Sequence, residues 1–354
     1  ELKRDYILKG IGAPEYYLGG DIIDLDGTWK KEGVMQALSA KTYVINVVAK
    51  YEQLHGEKFR DYKSPIPETY HAEEDATPLL TPRMASVFRG MIGSANWMIT
   101  LGRFDIHYAT NTFSRYGIAP REGHLKMMKR VFGYLKKFPH GQIMIDSNLP
   151  DHSMHETEEY SWTEFYPEAE EEIPEDMSEP KGKPARTTVY VDADHAHDTV
   201  TRRSVTGALF LLNSMPIKWI CKRQKTVETS TYGSEMVAGR VAAEGVMEIR
   251  YKLRMLGVPV LEPTLMLGDK MSVILNTTVP SSQLKKKHNA CAYHRIRECI
   301  ASKIIRFAHI PSSENIADIL TKPLPNYQFL SCLLYTSPSP RDPRGDLVCR
   351  LLLE

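Results

Sequence analysis

The run Thr188-Val-Tyr-Val-Asp-Ala-Asp194 constrains the fold more than any other stretch: β-branched and aromatic residues in succession favour a strand buried on at least one face. Its two carboxylates then close that strand at the rim of a sheet. A carboxylate there is costly unless a basic side chain, a helix N-terminus or a cation partners it. Taken alone, the stretch has a plainer reading, in which the aspartate caps the strand or opens a turn.

Three further acids fall at the edges of expected elements. Glu235 lies in the first turn of a helix over about Thr231 to Leu256. Asp269 ends the strand-like Leu265-Met-Leu-Gly-Asp269, and Asp318 lies in Glu314-Asn-Ile-Ala-Asp-Ile-Leu320. Along the helix, Ala242, Val246, Ile249, Leu253 and Leu256 make one apolar stripe. Glu235, seven residues before Ala242, falls on that stripe and faces the sheet. If the strands ending at Asp192 and Asp269 are parallel neighbours, both carboxylates emerge at one sheet edge, where the ligand sites of open α/β sheets lie.

Around these acids, residues 187–324 read as one compact unit. Ser204–Asn213 and Ile217–Ile220, joined at Ser214-Met-Pro216, extend the opening strand into an antiparallel meander. The long helix, the strand to Asp269, a short helix, the basic loop Lys285-Lys-Lys-His288, a helix Tyr293–Ser302, a strand Lys303–Ile310 and a last helix follow. Three strands and then alternating helix and strand describe a mixed sheet with helices packed against it.

Upstream, strand-like runs give way to a helix from Ser39, its expected N-cap, to Tyr51. Asp21, Asp24 and Asp26 read as turn or strand-edge residues. A helix over His124–Lys137 sets Leu125, Met128, Val131, Phe132 and Leu135 inward and Lys126, Lys129, Arg130, Lys136 and Lys137 outward. Residues 146–186, rich in Glu and carrying Pro167, Pro174, Pro180 and Pro184, read as a flexible linker and domain boundary.

The net charge of +1 conceals a segregation. Twelve of the 44 acidic residues lie between Asp151 and Pro180, with no Lys or Arg among them, so the rest of the chain sets 45 basic residues against 32 acidic ones. Such a basic body suits a polyanion such as nucleic acid, although solvated surface charge gives the same count. No apolar run approaches the roughly 20 residues of a membrane span. The five cysteines are scattered without a C-x-x-C pair, which fits a reducing, intracellular setting without a zinc or disulfide framework. The opening Glu1-Leu-Lys-Arg has neither an initiator Met nor a signal-peptide layout, so an interior fragment of a longer chain is expected.

Carboxylates brought together repel, and without a counter-charge one of them keeps its proton at neutral pH. Magnesium removes that penalty because it prefers hard oxygen ligands. Two such ions roughly 3.5–4 Å apart serve phosphodiester hydrolysis, so the acids point to metal-dependent cleavage of a nucleic acid.

Val189-Tyr-Val-Asp-Ala-Asp194, Ser204-Val-Thr-Gly207, Gln224 through Ser234-Glu-Met-Val-Ala238, Gly268-Asp269, Lys287-His288, Tyr293-His-Arg-Ile-Arg-Glu298 and Asn315-Ile-Ala-Asp-Ile-Leu-Thr-Lys-Pro-Leu324 together resemble the ribonuclease H domain of copia-type LTR retrotransposon polyproteins. The resemblance implies a ribonuclease H-like α/β fold, a mixed five-stranded sheet with flanking helices. It assigns magnesium binding and catalysis to Asp192, Glu235, Asp269 and Asp318, with two Mg2+ ions or Mn2+ in their place. The substrate it implies is an RNA–DNA hybrid, cut in its RNA strand. Lys285, Lys286, Lys287, His288, Arg295 and Arg297 are the expected nucleic-acid contacts. Tyr17-Leu-Gly-Gly-Asp-Ile22, Gly93-Ser94, Arg103-Phe-Asp-Ile106, Ser114-Arg115, Lys129-Arg130 and Tyr134-Leu-Lys136 resemble the end of the reverse transcriptase of the same polyproteins. Residues 1–145 are therefore expected to be a truncated palm and thumb or connection region of α+β type, whose remainder is a partner upstream. No Y-x-D-D box precedes Tyr17, so polymerase activity is not expected. The expected domains are completed by the linker 146–186, the ribonuclease H domain 187–325, and a disordered, non-native tail 326–354 in which Leu334–Asp346 looks like adapter or vector sequence.

Three departures from the family pattern stand out: Lys270 where Asn is usual, His195 where an aromatic is usual, and Phe104 where Pro is usual. A second function class follows from them, a decayed module that folds and binds nucleic acid without cutting it.

Overall fold

The computed structural model describes residues 15–24, 36–146, 148–155 and 157–336. Asp26 and the tail beyond residue 336 lie outside them. The first unit is an antiparallel sheet of β1 (Tyr16–Tyr17), β2 (Gly20–Asp24), β3 (Gln36–Ser39) and β4 (Gln142–Ile145), in that order. Its helices are α1 (Lys41–His55), α2 (Pro82–Thr100), α3 (His107–Ser114) and α4 (Glu122–Lys137). Ser39 ends β3 one residue before the N-cap position held by Ala40, its hydroxyl donating to the Gly141 carbonyl at 3.1 Å and accepting the Lys41 N–H at 3.3 Å. Asp21 takes over the capping role, accepting the Thr42 N–H at 2.9 Å. In α4 the five apolar residues expected inward are buried. The basic face opposite is engaged, with Lys136 3.0 Å from Glu52 and Arg130 over the Tyr62 ring at 4.4 Å.

The second unit is a five-stranded mixed sheet. Three strands run antiparallel: β5 (Thr187–Asp194), β6 (Val205–Leu212) and β7 (Met215–Arg223). After the long helix α5 (Thr231–Met255), β8 (Thr264–Gly268) adds parallel to β5. The short helix α6 (Met271–Thr278) and α7 (Ala290–Ala301) lead to β9 (Ile305–His309), parallel to β8. The order β7-β6-β5-β8-β9, with helices after the meander, is the expected ribonuclease H-like fold. Pro216 sits in the edge strand β7, beside a register shift at Phe210/Leu211 in β6, where a missing N–H costs no ladder bond. The helical stripe stops one residue early: Leu256 is 77% exposed. The helix ends at Met255, and Gly257 at φ 70° turns the chain so that Val260 is buried instead.

Alternation along β5 divides the core in two. Val189, Val191 and Ala193 face α5 and α7, in a cluster with Ala242, Val246, Ile249 and Ile296. Tyr190 faces the other way, into a cluster with Leu209, Leu265 and Leu267 that continues into Phe104, Phe113 and Tyr134 of the first unit. Phe104 lies 5.4 Å from the Trp219 ring, Asn111 donates to the Cys221 carbonyl at 3.0 Å, and Arg115 pairs with Asp198 at 3.0 Å. The two units thus share one apolar core.

Residues 157–180, expected as a flexible linker, lie against the second unit. Glu171 pairs with Arg250 at 2.7 Å and also with Arg254, and Trp162 stacks on Arg297 at 4.8 Å. The tail expected to be disordered from residue 326 instead begins with helix α8 (Asn326–Thr336). Phe329 and Cys332 are buried there, and Phe329 meets Tyr134 edge-on at 5.6 Å, which gives this segment an apolar anchor.

Candidate active site

The parallel pairing of β5 with β8 does what the sequence required of it. The register Thr188↔Leu265 to Tyr190↔Leu267 brings the ends of both strands to one edge, with Asp192 and Asp269 beside each other. The start of α5 supplies Glu235. Ser230 accepts the Gly233 N–H as the helix cap, and the buried Gln224 donates to the Ser234 carbonyl at 2.9 Å and to Thr206 Oγ1 at 3.0 Å. That side chain ties the end of the meander to the first turn of the helix. One oxygen from each of Asp192, Glu235 and Asp269 lies within 4.8 Å of the others.

Asp318 adjoins this group without joining the three. It sits in the short 3-10 turn Ile316–Leu320, which crosses the sheet over β6. Gly207, opposite Asp192 in the β5–β6 register, makes that crossing fit: a Cβ there would lie 2.5 Å from Thr321 Cγ2 and 2.9 Å from the Ala317 carbonyl. Asn315 pins the turn from the other side, its amide donating to the Val191 carbonyl at 2.9 Å. Lys322 follows, its ammonium 2.9 Å from Asp318 Oδ1 and 3.7 Å from Asp192 Oδ2. Thr321 donates its hydroxyl to Asp192 Oδ2, Gln328 donates to Asp318 Oδ2 at 3.3 Å, and Ser312 donates to Asp269 Oδ2 at 2.6 Å. Thr321, Lys322, Ser312 and Gln328 were not singled out from sequence. For two of them a signal existed, because positions three and four after Asp318 return to its face of a helical turn.

The electrostatics follow from burial. Burial first, and the Asp269 charge after it, raise the Asp192 carboxyl against the pull of Lys322 and Thr321. Burial, Asp192 and Asp269 push Glu235 well above the ordinary glutamate range. Asp318 is pushed up to about 7 by burial and by Asp192, and Lys322 is raised by its acidic neighbours. The Lys270 charge favours an ionised Glu235 but is the smallest of the influences on it.

The expected nucleic-acid contacts divide. Lys285 and Lys287 are exposed. Lys285 and Lys286 line a recess with Tyr232, Ser272 and Asn276 beside the start of α5. Lys286 also bonds the Ser230 hydroxyl. His288 lies 3.2 Å from Glu228, and Arg295 pairs with Glu298 at 2.7 Å. Arg297 does not belong with them. It is 2% exposed and donates to the carbonyls of Val279 at 2.9 Å, Pro280 at 2.6 Å and Asn276 at 3.2 Å, so it braces a loop and is closed to phosphate. Among the described residues, no helix is long and apolar enough to cross a membrane.

No family model matches the chain. The retrovirus-related Pol polyprotein from transposon RE1 of Arabidopsis thaliana is 26% identical over 292 residues, 82% of this chain and 17% of that protein. The one from transposon TNT 1-94 of Nicotiana tabacum is 23% identical over 336 residues, 94% of this chain and 22% of that protein. Among solved structures, the N-terminal RNase H domain of rv2228c from Mycobacterium tuberculosis covers 42% of this chain with 96% of its own, at 11% identity and a TM-score of 0.31. The strand order, and not that score, establishes the fold. Spanning about a fifth or less of these relatives' length, the chain is a homologue of the retrovirus-related Pol polyproteins of plant transposons.

Proposed function

We propose that the chain is a metal-dependent endonuclease of the ribonuclease H type that cuts the RNA strand of RNA–DNA hybrids. The observation that carries this reading is the convergence of Asp192, Glu235 and Asp269, from two strand ends and one helix start, within 4.8 Å. The donor set fits magnesium: three hard carboxylate oxygens, two of them, on Asp192 and Glu235, buried at a cost that a cation offsets. When bound, the ion would supply Lewis-acid polarisation of the scissile phosphate and a water acidic enough to attack it.

The chain's own residues do the rest. Asp192, with Oδ2 fixed by Thr321, and Asp269, fixed by Ser312, present preset oxygens. Burial and the charges of Asp192 and Asp269 favour the protonated form of Glu235, and positive charge beside it favours the ionised form. Asp318 and Lys322 hold Asp192 in place. Lys285, Lys286 and Lys287, beside the start of α5, contact the phosphate backbone without reading sequence. The first unit takes the place of the reverse-transcriptase end, and the remainder of a polyprotein is its partner.

Incubating the chain with a labelled hybrid and Mg2+ tests this. Cleavage in the RNA strand is expected, with loss to background in Asp192→Asn. Unchanged cleavage in that variant sinks the assignment, and binding without cleavage in the parent favours a non-catalytic hybrid-binding module.

A further inference from the structure

We propose that the outer edge of β9 is a docking slot for an extended segment of a partner protein, one in which apolar and basic residues alternate, and that this segment adds a strand to the sheet. None of the slot's residues belongs to the carboxylate centre.

The five-stranded sheet has two edges, and they are treated differently. At β7 the first unit lies alongside: Asn111 donates to the Cys221 carbonyl at 3.0 Å, and Phe104 meets the Trp219 ring. At β9 the register with β8 fixes which groups point inward. Thr264 donates its N–H to the Ile304 carbonyl at 2.9 Å, and Ile310 donates to the Gly268 carbonyl at 3.0 Å. The parallel pairing between these two bonds turns the main-chain groups of Arg306 and Ala308 toward β8. Those of Ile305, Phe307 and His309 therefore point away from the sheet, and none of them has a hydrogen-bond partner among the described residues. A row of open donors and acceptors of this kind is a template for another strand.

Across from this edge, residues 157–169 form a wall. It is pinned to α7 and not to β9: Trp162 stacks on Arg297 at 4.8 Å, and Tyr166 Oη lies 2.7 Å from His294 Nδ1. Between wall and edge remains a cleft of about 350 Å3, lined by Ile300, Ile305, Phe307, Trp162 and Tyr166 among others. A strand added there would satisfy the outward groups of β9 and place alternate side chains against that apolar lining. Charge selects among such strands. The wall carries Glu158, Glu159, Glu164 and Glu168, against Lys303 and Arg306 on the sheet side. The acids are in excess, so basic residues between the apolar ones complete the match.

The test uses the full chain and a labelled, end-capped peptide of alternating Val and Lys. Fluorescence anisotropy reads binding, and hydrogen–deuterium exchange reads its place. The peptide should bind and slow exchange across residues 303–309. N-methylating the peptide amides, replacing its Lys with Glu, or reversing the wall with Glu158→Lys and Glu159→Lys should each weaken binding about tenfold or more. The methylated peptide leaves the protein untouched, so it decides the matter if the charge variant does not fold. A peptide that does not bind, that binds without slowing exchange across residues 303–309, or that binds as well when N-methylated or acidic overturns the proposal. A dimer of the chain alone that protects those same amides would give the edge to a second copy, and overturns it too.

Discussion

Replacing Glu235 with Gln should separate what the carboxylate centre costs the fold from what it does. With their oxygens within 4.8 Å, each ionised pair among Asp192, Glu235 and Asp269 repels by roughly 3.5 kcal/mol at an effective dielectric constant of ~20. The folded chain reduces that cost by keeping a proton on Glu235, which burial and the two aspartates hold well above its ordinary range. A pKa raised on folding gives stability that is fully present in acid and lost as pH rises through the folded value. In EDTA at mildly alkaline pH, Glu235→Gln should therefore be more stable than the parent by roughly 1–3 kcal/mol, or roughly 1–1.5 °C in Tm for each kcal/mol in a chain of 354 residues. The gap should close in acid, where the glutamate is protonated in both states. Magnesium should reverse the order: at a hundredfold excess over Kd it adds about 2.7 kcal/mol to the parent, and little to a variant short of one ligand. Calorimetric melts with and without Mg2+ at two pH values read all of this. A variant that melts with the parent in EDTA and gains equally from Mg2+ would refute the idea that these three acids share one site.

Gly207→Ala should lower stability by about 1–3 kcal/mol, because its new methyl meets Thr321 at 2.5 Å and the Ala317 carbonyl at 2.9 Å; an unchanged melt would mean the turn does not press on β6. Arg297→Ala should cost about 3 kcal/mol or more by leaving the carbonyls of Asn276, Val279 and Pro280 without their donor. Its affinity for hybrid at fixed salt should not change, whereas replacing Lys285, Lys286 and Lys287 with Ala should flatten the salt dependence by up to ~0.9 for each phosphate no longer neutralised. Residues 187–325 expressed alone should expose Leu209, Leu211, Leu265 and Leu267, each losing about 1.5–3 kcal/mol of burial. That fragment should bind hydrophobic dye, and a cooperative melt equal to that of the full chain would refute the shared core.

Much of this was legible because it was local. The β-branched run of β5 and the 3.6-residue stripe of α5 depend on neighbours in sequence, so both elements and the placement of Asp192 and Glu235 near their ends could be read directly, as could Asp269 after the short apolar run of β8. The misreadings came where a distant segment supplied the partner. Arg297 looked like any surface cation until the 276–280 loop offered it three carbonyls. The acidic strip looked free until Arg250 and Arg254 took Glu171, and the tail looked structureless until Tyr134 met Phe329. Leu256 left its stripe because one turn of backbone at Gly257 redirected the chain.

By itself, then, the sequence determined the strands, the helices and the set of acids at their ends, since propensity and periodicity are properties of short stretches of chain. Only the tertiary structure decided that three of those acids meet, and that the first unit closes one face of the sheet. The meeting of the three acids and the packing of the first unit depend on which surfaces pair across tens of residues or more, which no local pattern records, whereas the Lys322 counter-charge lies four residues after Asp318 on the same turn.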